Sequence, residues 1–258
     1  MGDSYETRVT RGILDSYHHK LSESLVSDVL VVGAGPSGLM AARTLAEKGR
    51  KVTVLEKSLS PGGGLWGGAM GMNEVALPEE SLEALDGMPV RTRPQPGGLY
   101  ILDALELASA LCLSTLQAGA VLFNLTVAED LCVHAGRACG VVANRAGLWP
   151  TMPIDPVSFQ AEAILDATGH DAAVVHMLHR RRLMKDADGP MCEGAMDAAE
   201  GEAFVVDHVD EVFPGLWLSG MCVAAVLGGP RMGPIFGGML RSGRRAADLI
   251  DLTLAVDA

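Results

Sequence analysis

The 258-residue sequence lacks several features that would assign it to a class of protein directly. No apolar run reaches the roughly 18 residues that a membrane-spanning helix requires, and the polar first 20 residues contain no apolar segment of a signal peptide. Basic residues are fewer than acidic ones, 20 against 32, which gives a formal net charge of −12. These absences argue against a membrane or nucleic acid as the main partner.

Cysteine is scarce and follows no pairing pattern. The five cysteines are an odd number without a CxxC motif, and in a chain without an export signal they indicate reduced thiols. We therefore expect a cytoplasmic protein. The hydrophobic content of 48% is enough for a substantial core, and we expect a single domain over residues 1–258.

Glycine, in contrast, is abundant, and its most informative occurrence is a turn between two predicted elements. Gly33, Gly35 and Gly38 form a GxGxxG motif after the apolar run at 29–32 and before an alanine-rich segment. In such a motif the first glycine permits a tight turn, the second lets a pyrophosphate approach the backbone, and the third lets the helix lie close to the strand. Glu56 follows the next apolar run, where its carboxylate can accept hydrogen bonds from ribose hydroxyls. The pattern predicts an adenine dinucleotide, bound either as cofactor or as substrate.

Glycine is also clustered at 62–72, 97–98 and 228–238. These segments are too local for a linker and too rich in Leu, Met and Trp for disorder. We interpret all three as backbone that lines a ligand.

The pattern of apolar residues predicts alternating strands and helices. We expect an α/β fold: a doubly wound parallel sheet of the glutathione-reductase-like, Rossmann type, with a β-insertion and an N-terminal helical extension over 1–26. The predicted helices are 11–26, 37–48, 100–117 and 241–254, and the predicted strands are 28–32, 51–55, 120–124, 125–134, 138–144, 161–167 and 216–218.

Two further segments are similar to large flavoproteins of the glutathione-reductase type. One is the run 166–169, and the other is the run 213–220 with Ser242 further on. In those enzymes an aspartate usually follows the second run and binds the ribityl chain of the flavin, but here Met221 stands at that position. A second GxGxxG motif for a nicotinamide donor is also missing from the sequence.

Three segments extend the resemblance in another direction: 154–156, 167–171, and 220–226 leading into the run Arg-Met-Gly-Pro-Ile-Phe-Gly-Gly at 231–238. With the glycine turn and the 62–68 loop, they closely resemble the thiamine thiazole synthase family in its archaeal and bacterial branch, over about residues 27–250. The resemblance implies a homo-oligomer, commonly an octamer, and a transferase that uses NAD as a substrate. The ADP-ribose part of NAD would be joined with glycine and sulfur to give an adenylated thiazole carboxylate, with the participation of iron(II).

The same resemblance assigns roles to individual residues. The family's NAD contacts match five positions: Ser37, Glu56, Lys57, Gly64 and Val127. Arg231 matches the anchor of the glycine carboxylate, which suits a guanidinium because it can bind a carboxylate through two N–H groups. Met221 matches a second glycine contact.

Asp155 and His170 match the family's iron ligands, which come from adjacent subunits, and a carboxylate with an imidazole suits iron(II). Without the resemblance, an aspartate before a proline would be interpreted as a turn residue. His176 and His179 form an alternative ligand pair, although a solvated helix face beside Arg180 is the simpler interpretation.

The sequence departs from the family two residues before Asp155. In the fungal and plant branch a cysteine at that position gives up its sulfur, and archaeal members usually have histidine, whereas this chain has Pro153. Proline has no nucleophile. We therefore predict that free sulfide supplies the sulfur and that the protein is not consumed.

Three other functions stay open at this stage. They are a small FAD-dependent oxidoreductase, a sugar-phosphate isomerase and a non-catalytic NAD-binding sensor. The isomerase would need a second phosphate site, for which the sequence offers no second cluster.

Overall fold

The computed structural model describes residues 2–147, 155–184 and 191–256. The α-helices of this part of the chain are α1 (Tyr5–Ser24), α2 (Pro36–Glu47), α3 (Ala104–Gln117), α4 (Ala173–Arg180), α5 (Ala198–Asp207), α6 (Met221–Leu227) and α7 (Gly237–Val256). The strands are β1 (Val26–Val32), β2 (Val52–Leu55), β3 (Glu74–Pro78), β4 (Thr92–Gln95), β5 (Leu99–Asp103), β6 (Val121–Phe123), β7 (Thr126–His134), β8 (Arg137–Arg145), β9 (Val157–Asp166), β10 (Glu211–Phe213) and β11 (Leu216–Leu218).

The main sheet has the strand order β10-β11-β9-β1-β2-β6. β1 pairs in parallel with β2 and β9, while β2 pairs in parallel with β6 and β9 with β11. The hairpin of β7 and β8 joins this sheet through an antiparallel contact between β8 and β9. The predicted α/β fold with a parallel sheet and a β-insertion is therefore confirmed.

The centre of the sheet is buried, which explains why its strands are continuous apolar runs rather than alternating ones. Val29, Leu30 and Val31 of β1 are fully buried, as are Ile164 and Leu165 of β9. Among the described residues, no helix is long and apolar enough to cross a membrane.

A second, three-stranded sheet with the order β3-β5-β4 was not predicted. The predicted helix over 100–117 is wrong at its start, because Tyr100–Asp103 belong to β5. Helix α3 begins only at Ala104, where the Asp103 side chain accepts a hydrogen bond from the Glu106 N–H at 2.9 Å. An aspartate N-cap of this kind ends the strand and begins the helix.

The interpretation of the glycines at 97–98 as ligand-lining backbone is also wrong. Gly97 and Gly98 have φ values of 82° and 73° and form the turn between β4 and β5. They belong to the hairpin and do not line the cavity described below.

Both terminal helices are longer than the sequence pattern predicts. Helix α1 begins at Tyr5 rather than at residue 11, with the Ser4 side chain as N-cap, and Tyr5, Ile13 and Leu14 are exposed. Nearer its end, Tyr17 packs edge-on against Phe123 with ring centroids 6.0 Å apart.

Helix α7 begins at Gly237 rather than at residue 241. Its start packs closely, since a Cβ on Gly238 would lie 2.7 Å from the Glu202 carbonyl oxygen. The Glu202 carboxylate accepts a hydrogen bond from the Gly238 N–H at 2.7 Å.

Candidate active site

A cavity of about 690 Å³ lies at the carboxyl ends of β1, β2 and β9. Its wall combines the glycine turn, the ends of these strands, β7, the start of α6 and the 231–239 segment. The carboxyl ends of parallel strands are where open α/β sheets bind their ligands. Its volume is in the range of about 300–1,000 Å³ that is typical of small-molecule sites.

The three glycines of the turn have distinct geometries. Gly33 has a φ of 99°, and a Cβ there would lie 2.5 Å from the Ala167 carbonyl oxygen. A Cβ on Gly38 would lie 2.0 Å from the Gly33 carbonyl oxygen, whereas a Cβ on Gly35 would meet no atom within 4 Å. The missing side chains of Gly33 and Gly38 thus allow β1, the turn and α2 to pack closely. At Gly35 the missing side chain leaves the backbone accessible from the cavity.

Two hydrogen bonds, one buried and one partly buried, position Glu56 next to this turn. Its carboxylate accepts from the Ala34 N–H at 2.8 Å and from the Ser58 N–H at 2.7 Å. The side chain is buried and still lines the cavity. Because a carboxylate has about four acceptor sites, Glu56 can also accept from a ligand hydroxyl.

The loop at 62–72 closes one side of the cavity. The Gly62 N–H donates to the Ala34 carbonyl oxygen at 2.6 Å, which attaches the loop to the glycine turn. Gly63, Gly64, Gly68 and Met70 line the cavity. For this cluster, as for 228–238, the interpretation as cavity-lining backbone agrees with the structure.

His170 lies in a short 3-10 helix at 169–171, directly after β9. A buried polar network positions this loop: Asp166 accepts from the Thr168 hydroxyl at 2.7 Å, and the Cys222 thiol contacts the Gly169 carbonyl oxygen at 3.2 Å. Burial raises the pKa of the Cys222 thiol well above its ordinary value, so Cys222 stays protonated. The imidazole of His170 reaches the cavity and is 59% exposed.

Lys57 and Asp171 form an ion pair at the cavity wall, with 2.9 Å between Nζ and Oδ2. The hydrogen bond from Lys57 lowers the pKa of Asp171. Both side chains are more than 60% exposed, so the pair contributes little to stability.

Glu193 is a site residue that the sequence did not predict. Its carboxylate hydrogen-bonds with Nδ1 of His170 through one oxygen, and its other oxygen lies 3.2 Å from Nε of Arg231. The Glu193 side chain is only 11% exposed, against 56% for Arg231. It therefore connects two of the residues that the resemblance assigns to catalysis.

The structure brings ten of the twelve predicted site residues to one cavity. They are Gly33, Gly35, Ser37, Glu56, Lys57, Gly64, Val127, His170, Met221 and Arg231. Gly38 lies behind the turn, in contact with Gly33 and Ala167. Asp155 is exposed and is not part of the cavity wall.

Asp155 and His170 lie near opposite ends of β9. Asp155 precedes the first residue of this strand, and His170 follows its last residue by four positions. Ten strand residues span roughly 33 Å at about 3.3 Å per residue. In the described part of the chain, no group of three or more His, Cys, Asp or Glu side chains could hold a metal ion.

The alternative ligand pair, His176 and His179, is not part of the cavity wall. Nδ1 of His176 lies 3.1 Å from the carbonyl oxygen of Ala172, the residue that precedes α4. Pro153 lies outside the described residues.

Methionine is a second component of the wall that the sequence did not predict. Four methionines join Met221 there: Met70, Met196, Met232 and Met239. Their spacing along the chain carries no periodic signal, because the loops and helices that contribute them meet only in the folded protein.

The fold and the cavity define a Rossmann-type α/β protein. Its cavity combines a glycine turn of the dinucleotide-binding type with a polar cluster formed by His170, Glu193 and Arg231. The Thi4 family matches residues 10–236, and the chain belongs to this family. A thiamine thiazole synthase from Thermococcus kodakarensis is 46% identical over 243 residues, covering 94% of this chain and 96% of the relative. A second, from Thermotoga maritima, is 44% identical over 247 residues, covering 94% and 95%.

Comparison with solved structures agrees with this family membership. The crystal structure of Thermovibrio ammonificans THI4 matches with a TM-score of 0.92 at 39% identity, covering 98% of this chain and 100% of that one. A geranylgeranyl bacteriochlorophyll reductase-like protein from Thermoplasma acidophilum matches with a TM-score of 0.53 at 15% identity, which shows the shared fold alone.

Proposed function

We propose that the protein is a thiamine thiazole synthase that converts NAD, glycine and free sulfide into an adenylated thiazole carboxylate. The observation that carries this proposal is the composition of one cavity wall. The glycine turn at Gly33 and Gly35 faces the same space as His170 and Arg231. A dinucleotide bound at the turn would place its non-adenine half near the polar cluster.

NAD enters this proposal as a substrate that is bound by its ADP half. The open backbone at Gly35 and the N-terminus of α2 suit the pyrophosphate, since free N–H groups and the helix dipole favour an anion. Glu56 is positioned to accept from the adenosine ribose. Release of nicotinamide would then leave the ADP-ribose part in place for the later steps.

Arg231 is the proposed anchor of the glycine carboxylate. Arg231 is a cation of the cavity wall, and the Glu193 carboxylate that pairs with it also pairs with His170. The two terminal nitrogens of a guanidinium match the two oxygens of a carboxylate. Met221, buried at the start of α6, lines the same wall and would contact the bound glycine.

The sulfur source is proposed to be free sulfide, so that the protein is not consumed. All five cysteines lie in the described part of the chain, and none is part of the cavity wall. The family's sulfur-donating position is occupied by Pro153, which has no sulfur. A sacrificial mechanism would need a cysteine within reach of the substrate.

Iron(II) is proposed to bind between subunits. His170 supplies an imidazole to the cavity, while Asp155 lies near the far end of β9, so a second copy of the chain must supply the carboxylate. The donor set of histidine and aspartate suits iron(II), which would supply open positions for sulfide and substrate. The exposed apolar side chains of α1, which include Tyr5, Ile13 and Leu14, are consistent with a homo-oligomer.

The test of this function is a reaction of the anaerobically purified protein with NAD, glycine, sulfide and iron(II). Mass spectrometry should detect nicotinamide and the adenylated thiazole carboxylate. Omission of any one substrate should remove the thiazole product. Unchanged NAD in the complete mixture would leave a non-catalytic NAD-binding protein as the better interpretation, and a bound flavin in the purified protein would support an oxidoreductase.

A further inference from the structure

The Glu193 carboxylate hydrogen-bonds with His170 and forms an ion pair with Arg231. Its oxygens are divided between them: one reaches Nδ1 of the imidazole and the other lies 3.2 Å from Nε of the guanidinium. The two partners are more than half exposed, whereas Glu193 is largely buried between them. This arrangement differs from a surface ion pair, in which both charges are solvated.

The backbone around Glu193 explains why its side chain lies there. The segment at 194–197 runs parallel to the segment at 229–231. The Gly194 N–H donates to the Gly229 carbonyl oxygen at 2.8 Å, and the Asp197 N–H donates to the Arg231 carbonyl oxygen at 3.2 Å. The Arg231 N–H donates in turn to the Ala195 carbonyl oxygen at 3.3 Å. Glu193 and Arg231 are therefore attached to the same short backbone pairing.

The contact with His170 determines which imidazole nitrogen faces the cavity. A neutral imidazole that donates from Nδ1 to a carboxylate keeps its lone pair on Nε2. Carboxylates that accept from the second nitrogen of a metal-binding histidine orient the ring and raise its basicity. The Nε2 atom of His170 is thus the nitrogen left for a ligand.

The contact with Arg231 determines which edge of the guanidinium is left for a substrate. A carboxylate can approach this group along the Nε edge or along the edge formed by its two terminal nitrogens. Because Glu193 lies at Nε, the terminal edge is left for an incoming carboxylate.

We propose that Glu193 is a positioning residue that orients His170 and Arg231 together, so that Nε2 and the terminal guanidinium nitrogens face one reaction space. The proposal rests on the proposed function for the identity of the ligands, a metal ion at His170 and the glycine carboxylate at Arg231. The orientation of the two side chains is independent of that identity. Glu193 itself transfers no atom.

The first experiment measures the orientation of His170 without any reaction. Nitrogen-15 NMR of histidine-labelled protein at a pH where His170 is neutral should show the tautomer with a proton on Nδ1, with the signal assigned through His170→Asn. Glu193→Ala should shift His170 toward the tautomer with a proton on Nε2. An unchanged tautomer in Glu193→Ala would overturn the proposal, whatever the enzyme's activity.

The second experiment measures the consequences for binding and turnover. Anaerobic titration with Co(II) alone should show metal affinity falling about tenfold to a hundredfold in Glu193→Ala. The KM for glycine should rise by a larger factor than kcat falls, and the Kd of NAD should stay as in the wild type. Glu193→Gln, which keeps the shape of the side chain without its charge, should fall between wild type and Glu193→Ala.

The matched control is Glu200→Gln, an exposed glutamate of the adjacent helix α5, which should change none of these quantities. Unchanged metal affinity and glycine KM in both Glu193 variants would overturn the positioning role. Failure of the proposed function has a different signature, since the wild type itself would form no thiazole while the tautomer measurement still decides the role of Glu193.

Discussion

The carboxylate of Glu56 accepts a hydrogen bond from the backbone N–H of Ala34 at 2.8 Å, inside the glycine turn. Its second oxygen accepts from the Ser58 N–H at 2.7 Å. The residue that directly follows β2 therefore also stabilises the turn that follows β1. This contact gives Glu56 a structural role in addition to its proposed contact with the adenosine ribose.

Glu56→Ala is expected to weaken both folding and NAD binding. Removal of the carboxylate leaves two N–H groups without their partner, at a cost of about 1–3 kcal/mol each. Urea unfolding should show this loss without NAD, and NAD should stabilise the variant less than it stabilises the wild type. An unchanged unfolding midpoint would contradict the structural role, and unchanged stabilisation by NAD would contradict the binding role.

Gly35 and Gly38 offer a matched pair of substitutions within the same turn. Gly38→Ala should destabilise the protein by about 1–3 kcal/mol or more, because the new Cβ would lie 2.0 Å from a carbonyl oxygen. Gly35→Ala meets no atom within 4 Å and should unfold like the wild type. Its methyl group would occupy the space proposed for the pyrophosphate, so its NAD affinity should fall at least tenfold.

Calorimetric titration with NAD and thermal unfolding of both variants provide the measurement. Tight NAD binding by Gly35→Ala would show that the pyrophosphate does not lie against this backbone. Equal stability of the two variants would contradict the packing role of Gly38.

The glycine turn could be predicted from the sequence because its geometry is local. Gly33, Gly35 and Gly38 lie within six residues, and the strand and helix beside them have clear patterns. Glu193 could not be predicted in this way. Its position depends on the pairing of 194–197 with 229–231, and neither segment shows a periodic pattern.

The second sheet was missed for a related reason. All four residues of β4 are exposed, and Pro94 lies within the strand, so the segment shows neither apolar alternation nor the usual strand composition. β5 leads into α3 without an intervening loop, and its apolar residues were therefore assigned to the helix.

Complementation between two inactive variants is expected if the iron site is shared. Asp155→Ala and His170→Ala should each lose activity when purified alone. In hetero-oligomers formed by co-expression, about a quarter of the sites should combine an intact Asp155 with an intact His170. Activity near that fraction would support a shared site, whereas none at all in verified hetero-oligomers would contradict it.

The buried Glu202 should make stability depend on pH. Burial raises the pKa of this carboxyl from 4.5 to about 7. The hydrogen bond from the Gly238 N–H and the charge of Arg241 lower this pKa by smaller amounts, and the charge of Glu80 raises it slightly. The folded protein thus binds this proton more tightly than the unfolded chain. By linkage, the contribution to stability is largest below about pH 4.5 and is lost as the pH rises to about 7.

Glu202→Gln keeps an acceptor for the Gly238 N–H and cannot ionise. Its stability relative to the wild type should therefore increase between pH 5 and pH 8, by on the order of 3 kcal/mol at most. Urea unfolding at several pH values measures this difference, with Glu200→Gln of the same helix as the control. A difference that stays constant with pH would show that Glu202 does not titrate in this range.

The central claim, that the cavity converts NAD into a thiazole, is tested most directly by one mass measurement. The anaerobic protein is supplied with iron(II), NAD, carbon-13-labelled glycine and sulfur-34-labelled sulfide. We predict an adenylated thiazole carboxylate that carries both labels, in more than one equivalent per protein chain. Intact NAD with no labelled adenylated product would contradict the claim.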